Sequence, residues 1–372
     1  MNKIFALIKS VFKGMFEKKV TMLLLSTGLL IISSGFTQNW WLNPFISIIN
    51  DVFNLKIELP GGTIHYGYLI TTVIVGGCLT ASAFWFYFKT RDKVKKQNML
   101  QIRHSSIESV SYLNIGKELT NYNIEVYQLN QTEELKIIDK HNLQHALREQ
   151  QKITQRLLNR FEGSDDSELA YLGLAHIPLV FLIGYQLADK SNILFFEWNQ
   201  VKLAWEKIED RKGGYPALLI EKNEISQSLG ETREVIIKIG ITYPIEDSDL
   251  RGLGLEDLNS FYLYIDHPHR NAIISNEQLR DYKDKFRRLL DEINQKFPQL
   301  NRIHLFYSGQ TSLAFLLGSA ISPRMDAEIK VYNYVRKSFP KYNWVITLKK
   351  IEEPIEIKVL KEDLNEDVRP SK

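Results

Sequence analysis

The chain has 372 residues and a single cysteine, Cys78. One thiol excludes an intrachain disulfide framework and any C-x-x-C metal site, and it fits a cytosolic compartment for the folded part. A dominant charge is also missing. The net charge of +3 is nearly balanced, so nothing in it calls for a nucleic-acid duplex as partner. Several enzyme signatures are absent. There is no G-x-x-x-x-G-K-[ST] loop and no H-E-x-x-H, and SGQTS (308–312) is not the G-x-S-x-G elbow. RGLGLEDL (251–258) has two glycines at G-x-G spacing, but no third and no clear strand before them. His141, His145 and Glu149 share a helix face by spacing; a solvated face is the simpler reading than zinc. DHPHR (266–270) reads as a turn after a strand, from which Arg270 reaches toward phosphate. No catalytic residue, metal or cofactor is expected.

Two long stretches, Val20–Thr37 and Tyr66–Phe88, contain no charged residue. The second has 23 residues, roughly 34 Å as a helix at about 1.5 Å per residue, enough for a bilayer core. Aromatic residues cluster at their ends, with Trp40, Trp41 and Phe45 after one and Phe84–Phe88 closing the other, as suits headgroup depth. Lys3, Lys9, Lys13, Lys18 and Lys19 precede the first stretch, and Lys89, Arg91, Lys93, Lys95 and Lys96 follow the second. The positive-inside rule then predicts two spans, about 20–42 and 66–88, with both termini cytoplasmic. The alternative for the first is a cleaved signal peptide. Residues 1–19 read as a basic amphipathic leader on the bilayer or as an extension of the first span. Thr72, Gly76 and Thr80, with Gly77 and Ala81, give a small-residue face suited to helix association. The lack of charges in either span argues against a permanently open, charge-lined ion pathway.

Residues 97–140 read as a linker and 141–372 as the soluble domain. Strands are expected at Asn192–Trp198, Val235–Tyr243, Phe261–Asp266, Arg302–Tyr307, Ile329–Val335 and Trp344–Lys349. An exposed helix is expected at Leu143–Phe161, and further helices at Pro178–Ala188, Gln200–Glu209, Asn276–Phe297 and Thr311–Ile321. The alternation argues an α/β domain with a largely parallel sheet. Leu169–Ala188 is apolar enough to suggest a third span, but Gly173, His176, Pro178 and Gly184 fall inside it; strand, turn and helix explain it better.

A repeat runs through this domain. YLGLAHIPLVFLIGYQL (171–187) resembles IHLFYSGQTSLAFLLGSAI (303–321), each a strand, a turn and an apolar helix ending on Gly184 or Gly318. ILFFEW (193–198) and IKVYNY (329–334) follow, then Trp205 and Trp344. Counterparts lie from 134 (Gly184 to Gly318) to 139 (Trp205 to Trp344) positions apart, which argues duplication. In open α/β sheets ligands sit beyond the carboxyl ends of strands, where helix starts favour phosphate. Two such halves would face one composite pocket. The candidate ligand-binding residues are His176, Ile177 and Pro178 in the first turn and Ser308, Gly309, Gln310 and Thr311 in the second. Trp198, Tyr332 and Tyr334 are candidate stacking platforms, with core packing the alternative for Trp198 and Tyr332, and a buried structural histidine the alternative for His176.

These stretches, over about residues 160–350, resemble the SAVED domain, the sensor module of bacterial CBASS anti-phage systems. The resemblance implies two fused Rossmann-like, CARF-like halves that bind a cyclic oligonucleotide made by a partner nucleotidyltransferase. It implies homo-oligomerisation on binding, and with the two-helix transmembrane hairpin it implies an effector that disrupts the inner membrane in abortive infection. Family contacts at the helix starts map to 176–179 and 308–312; SGQTS departs from the proline-containing turn of many members. The competing readings are a membrane-anchored enzyme that processes a nucleotide and a scaffold that docks a soluble protein.

Overall fold

The computed structural model describes residues 21–32, 50, 66–91, 97–112, 115, 119–162, 167–187, 193–224, 230–348 and 355–360. The chain divides into two compact units, Met1–Lys95 and Lys96–Lys372.

In the first unit, α1 covers residues 21–32 and α2 covers Tyr66–Arg91. They approach closely through glycine. A Cβ on Gly28 would lie 2.9 Å from the Gly76 carbonyl oxygen, and one on Gly76 would lie 2.7 Å from that of Gly28. Thr80 donates its hydroxyl to Gly76 O at 2.5 Å. Gly76 of the expected small-residue face therefore meets α1, while a Cβ on Gly77 would meet open space. Met22, Leu23, Ile70, Ile74 and Trp85 are exposed. Among the described residues no helix is long and apolar enough to cross a membrane, so the two-span hairpin rests on sequence alone. The leader, Trp40, Trp41 and the basic cluster at 93–96 lie outside the described residues.

The second unit is α/β, with two sheets. The first runs in the order β2-β1-β3-β4-β5, built from β1 (Gln97–Ser105), β2 (Tyr122–Asn130), β3 (Ser167–Leu174), β4 (Ile193–Asn199) and β5 (Ala204–Lys207). β2, β1, β3 and β4 are parallel and β5 is antiparallel. Two helices, α3 (Lys140–Glu162) and α4 (Ile177–Gln186), flank β3 in the chain.

The second sheet repeats this plan. β7 (Glu234–Gly240), β8 (Asn259–Tyr264), α5 (Asn276–Lys296), β9 (Arg302–Ser308), α6 (Thr311–Ser319), β10 (Glu328–Tyr334) and β11 (Tyr342–Leu348) follow in the same sequence. Their strands stand in the equivalent order β8-β7-β9-β10-β11. β6 (Leu219–Asn223) and β12 (Glu356–Val359) add antiparallel edges.

One core joins the halves. Inward residues of both sheets (Leu100, Tyr171 and Phe195; Val235, Leu305 and Val331) share a cluster with α4 and α6. Each of these helices touches the opposite half's sheet, α4 against β10 and β11, α6 against β3 and β4. Their crossing is reciprocal. A Cβ on Gly184 would overlap the carbonyl oxygen of Phe315, and one on Gly318 would overlap that of Phe181. Phe315 packs on Tyr171 with ring centroids 4.7 Å apart, and Phe181 on Tyr307 at 5.6 Å. Glycine is required there because only its bare Cα lets two backbones approach so closely.

Four expectations change. Residues 97–140 are not a linker: they carry β1, an interior strand of the first sheet, and β2. Their scattered apolar residues hid this because β2 is an exposed edge while β1 has polar residues buried among its apolar ones. Gln200–Glu209 is a hairpin, not a helix. Asn199 Oδ1 accepts from the N–H of Val201 and of Lys202, both at 3.0 Å, and Leu203 has φ +48°, turn chemistry that overrides helical spacing. Trp205 and Trp344 lie on corresponding strands but opposite faces, Trp205 in an outer cluster and Trp344 in the shared core. α3 is less exposed than expected, with Leu143, Ala146, Leu147 and Leu157 buried. Leu169–Ala188 forms the strand, turn and helix its glycines suggested.

Candidate functional site

In each sheet the chain runs to opposite sides from a central pair of strands, β1 and β3 or β7 and β9. That reversal opens a crevice beyond their carboxyl ends. The two crevices are built alike. Leu174 O, ending β3, accepts from Ser106 N at 3.1 Å and Ile107 N at 3.4 Å. Ser308 O, ending β9, accepts from Ile241 N at 2.8 Å and Thr242 N at 2.9 Å. Ser308 Oγ also accepts from Tyr243 N at 3.1 Å.

The turns lead into α4 and α6. His176 and Gln310 are the N-caps, both extended, and neither side chain caps its own helix. His176 instead engages Ser106: Ser106 Oγ accepts from His176 N at 2.7 Å and lies 2.8 Å from Nδ1. The His176 ring leans on Trp344 at 5.9 Å, and burial pushes its pKa down to about 4. At neutral pH this histidine offers hydrogen bonds rather than charge. Gln310 holds the loop after β8, its Oε1 accepting from Ile273 N at 2.6 Å.

A pocket of about 220 Å³ opens between the halves. Glu197, Trp198, Asn199 and Lys207 line it from the first half, Asn271 and Gln310 from the second. Glu197, on β4, reaches across to the start of α6, where its Oε1 accepts from Ser312 N at 2.8 Å. Thr311 Oγ1 crosses the other way, donating to Gly173 O at 2.8 Å. Burial pushes the Glu197 carboxyl up to about 7, against the Ser312 and Thr311 groups that favour its charged form. Beyond the pocket, Arg270 in the loop after β8 donates to Tyr243 Oη, after β7, at 2.7 Å and to Gln200 Oε1, in the β4–β5 hairpin, at 3.0 Å.

The structure brings some of the sequence candidates together. His176, Ile177 and Pro178 form the start of α4; Ser308, Gly309, Gln310 and Thr311 form the start of α6. Trp198 reaches the pocket while leaning on Trp205 at 5.4 Å. Tyr332 is elsewhere. It is buried on the outer face of the second sheet, stacked on Phe306 at 4.5 Å and bonded to His304 Nδ1 at 2.7 Å. A strand's alternate residues face opposite ways, so Tyr332 is core, not a stacking platform. Tyr334 is exposed at the end of β10 and rests on Tyr342 at 5.4 Å. His141 and His145 are exposed on α3, and among the described residues no cluster of His, Cys, Asp or Glu could hold a metal.

Sequence reasoning missed Ser106 and Glu197. Ser106 was hidden by reading its region as linker. Glu197 was signalled: it is a lone acid inside the apolar strand ILFFEWN, and an acid in a buried strand requires a partner.

Residues 150–348 match the family SAVED, described as SMODS-associated and fused to various effectors sensor domain. Comparison with curated proteins finds no match. Among solved structures the chain is similar to an Acinetobacter baumannii Cap4 SAVED/CARF-domain containing receptor with the cyclic trinucleotide 3'3'3'-cAAA, at 15% identity, 78% of this chain, 63% of that chain and TM-score 0.44. The same receptor with 2'3'3'-cAAA gives 15% identity, 81% and 65% coverage and TM-score 0.43. A Moraxella osloensis Cap4 SAVED/CARF-domain containing receptor gives 14% identity, 82% and 63% coverage and TM-score 0.39. Each match spans less than two thirds of the other chain's length.

Proposed function

The chain belongs to the SAVED family, and from that premise we propose that it is a CBASS effector whose paired crevices bind a cyclic oligonucleotide. One observation carries the reading. Two equivalent helix starts stand on halves of one plan, and one of them opens into a pocket shared by both halves. Helix starts favour phosphate, and a ring of nucleotides offers repeated phosphates to repeated sites. The pocket, at about 220 Å³, is below the roughly 300–1,000 Å³ of pockets for drug-sized ligands. It suits one segment of such a ring, with the rest lying along the crevices.

In this reading a nucleotidyltransferase supplies the ligand, binding favours assembly of several copies, and residues 20–96 carry the effect to the inner membrane. The membrane part is supported by the charge-free stretches and flanking lysines. Both termini then lie on the cytoplasmic side. Assembly follows only if ligand binds the assembled state better than the free one. The protein acts by binding rather than turnover. Ser106 beside His176 is the contact that an enzymatic reading would use, yet Ser106 is buried and its Oγ accepts from a backbone N–H, which disfavours attack as a nucleophile.

The test is sedimentation of the full chain in detergent with each of a panel of cyclic di-, tri- and tetranucleotides. One member should bind and raise the mass, and the same member should release dye from proteoliposomes. A folded protein that binds none of them sinks the reading. Binding without dye release removes only the membrane step.

A further inference from the structure

The start of α6 is already held by an anion, and the chain supplies it. We propose that Glu197 stands in for a ligand phosphate: its carboxylate occupies the start of α6 and must become neutral before an anionic ligand takes that place. This rests on the sensor reading and names how the same site is regulated.

Four features carry it. First, Glu197 Oε1 accepts from Ser312 N at 2.8 Å. Ser312 is the second residue of α6, so its N–H is one of the free donors that bind phosphate at helix starts. Second, the helix's own cap supplies no acceptor, because the Gln310 side chain is committed to Ile273. The acceptor comes instead from the other half of the domain. Third, Ser312 Oγ is buried, on a residue 1% exposed, and makes no hydrogen bond of good geometry, although it faces the Glu197 carboxyl and favours its charged form. A buried hydroxyl without a partner is costly, and a phosphate, with several acceptor oxygens, would satisfy both it and the N–H. Fourth, Glu197 lines the pocket rather than being sealed in the core, so a ligand has access to it.

The charge on Glu197 is expendable near neutral pH. Burial raises its pKa to about 7, opposed by the Ser312 hydroxyl, the Ser312 N–H and the Thr311 hydroxyl. The groups that face it are few. The Tyr171 and Tyr307 phenols on β3 and β9 are themselves held neutral by burial and by this carboxylate. Glu206 stands opposite it in register on β5, tied to Lys202 at 2.5 Å and Asn199 at 3.0 Å. Lys207 lines the same pocket, and the lining loop after β8 contributes Asn271, Ile273 and Ile274, none titratable. With the carboxylate charged, a phosphate would meet a like charge at the same donors. With it protonated, the carboxyl becomes a donor itself.

The test compares the full-length wild type with Glu197→Gln, using inorganic sulfate and the panel of cyclic oligonucleotides. Sulfate and phosphodiesters keep their charge over the range used. A site that must be protonated, with a pKa of about 7, should bind about 30-fold more weakly at about pH 8.5 than at about pH 6. Glu197→Gln keeps an acceptor for Ser312 N and so keeps the fold; its affinity should change less than about threefold with pH and match the wild type at about pH 6. Ser312→Ala should weaken binding at the lower pH and leave the wild-type slope. Equal pH slopes in wild type and Glu197→Gln would overturn the proposal, as would loss of binding in Glu197→Gln at the lower pH. So would sulfate binding in neither protein. Sulfate separates this idea from the sensor reading. A pH-gated sulfate response without any cyclic oligonucleotide binding sinks the sensor and keeps the gate. Cyclic oligonucleotide binding with equal slopes does the reverse.

Discussion

The two halves of the sensor unit agree where they touch and disagree where they open. At the helix crossing the match is pairwise: Gly184 against Phe315 and Gly318 against Phe181, with Tyr171 and Tyr307 behind the phenylalanines. At the helix starts the same frame carries different chemistry. His176, Ile177 and Pro178 stand in one turn, Gln310, Thr311 and Ser312 in the other. The inward positions of β4 include Glu197, whereas those of β10 are Ile329, Val331 and Asn333. Close packing leaves the crossing no latitude, because neither backbone can yield to a side chain. The helix starts border a crevice, and residues there are free to differ. Symmetry in this unit is a property of the packing, and asymmetry is where a ligand would be read.

The sharpest way to break that comparison is at the glycines. Gly184→Ala places a methyl on a backbone carbonyl, and so does Gly318→Ala. Each should cost more than about 4 kcal/mol or prevent folding, as measured by denaturant unfolding of the full chain. If the halves are equivalent at the crossing, the two variants will fall together. A tolerated Gly318→Ala beside a lethal Gly184→Ala would show that one half can move. Phe181→Ala and Phe315→Ala come next, at about 3–5 kcal/mol each for a buried phenylalanine removed. Their double mutant should cost less than the sum, because the two rings share one crossing.

Titration should separate the helix starts by sign. His176 has its pKa lowered from 6.5 to about 4 by burial. Its neutral form contributes stability that is present above 6.5 and lost as pH falls toward 4. Glu197 has its pKa raised from 4.5 to about 7. Its contribution is present below 4.5 and is lost as pH rises through 7. Each effect is about 3 kcal/mol. Glu197→Gln should therefore remove the fall in stability between about pH 4.5 and 7 and leave the rise that His176 gives between about pH 4 and 6.5. Replacing His176 by Gln should do the opposite. Identical curves for both variants would mean that neither group titrates as its burial implies.

Much of this frame was legible in the sequence, for reasons that the structure explains. The apolar helices with their terminal glycines are constrained at each of those glycines, so the repeat survived in the letters. Strands β4, β7 and β9 are mostly apolar runs because both their faces are covered, and such runs are visible; β10 alternates, with Ile329 and Val331 inward. The edge strand β2 has neither property. Its Ile124 and Val126 are exposed among polar residues, and with it the interior strand β1 was lost to a linker reading. The site was half legible. The helix starts could be placed from the turn pattern, but Glu197 and Ser312 meet across 115 positions of chain, and no local pattern records that. Tyr332 failed for a different reason: an aromatic residue on a strand is equally at home on either face, and here the outer cluster took it.

A milder change tests whether the halves are held together at the site as well as at the crossing. Thr311 Oγ1 donates to Gly173 O across the domain at 2.8 Å, and Thr311 is buried. Thr311→Val keeps the shape and removes the donor, leaving a carbonyl without that bond. The cost should be about 1–2 kcal/mol. Tyr334→Ala sits at the other end of the scale. Tyr334 is 44% exposed and touches the same half alone, through Tyr342, so the loss should be about 0.5 kcal/mol or less. Ligand affinity distinguishes the two further. Thr311→Val should weaken binding, since it loosens the turn that carries Gln310 at the pocket wall, whereas Tyr334→Ala should leave affinity unchanged if the pocket between the halves is the site. A binding loss confined to Tyr334→Ala would move the ligand out of that pocket and onto the exposed end of β10.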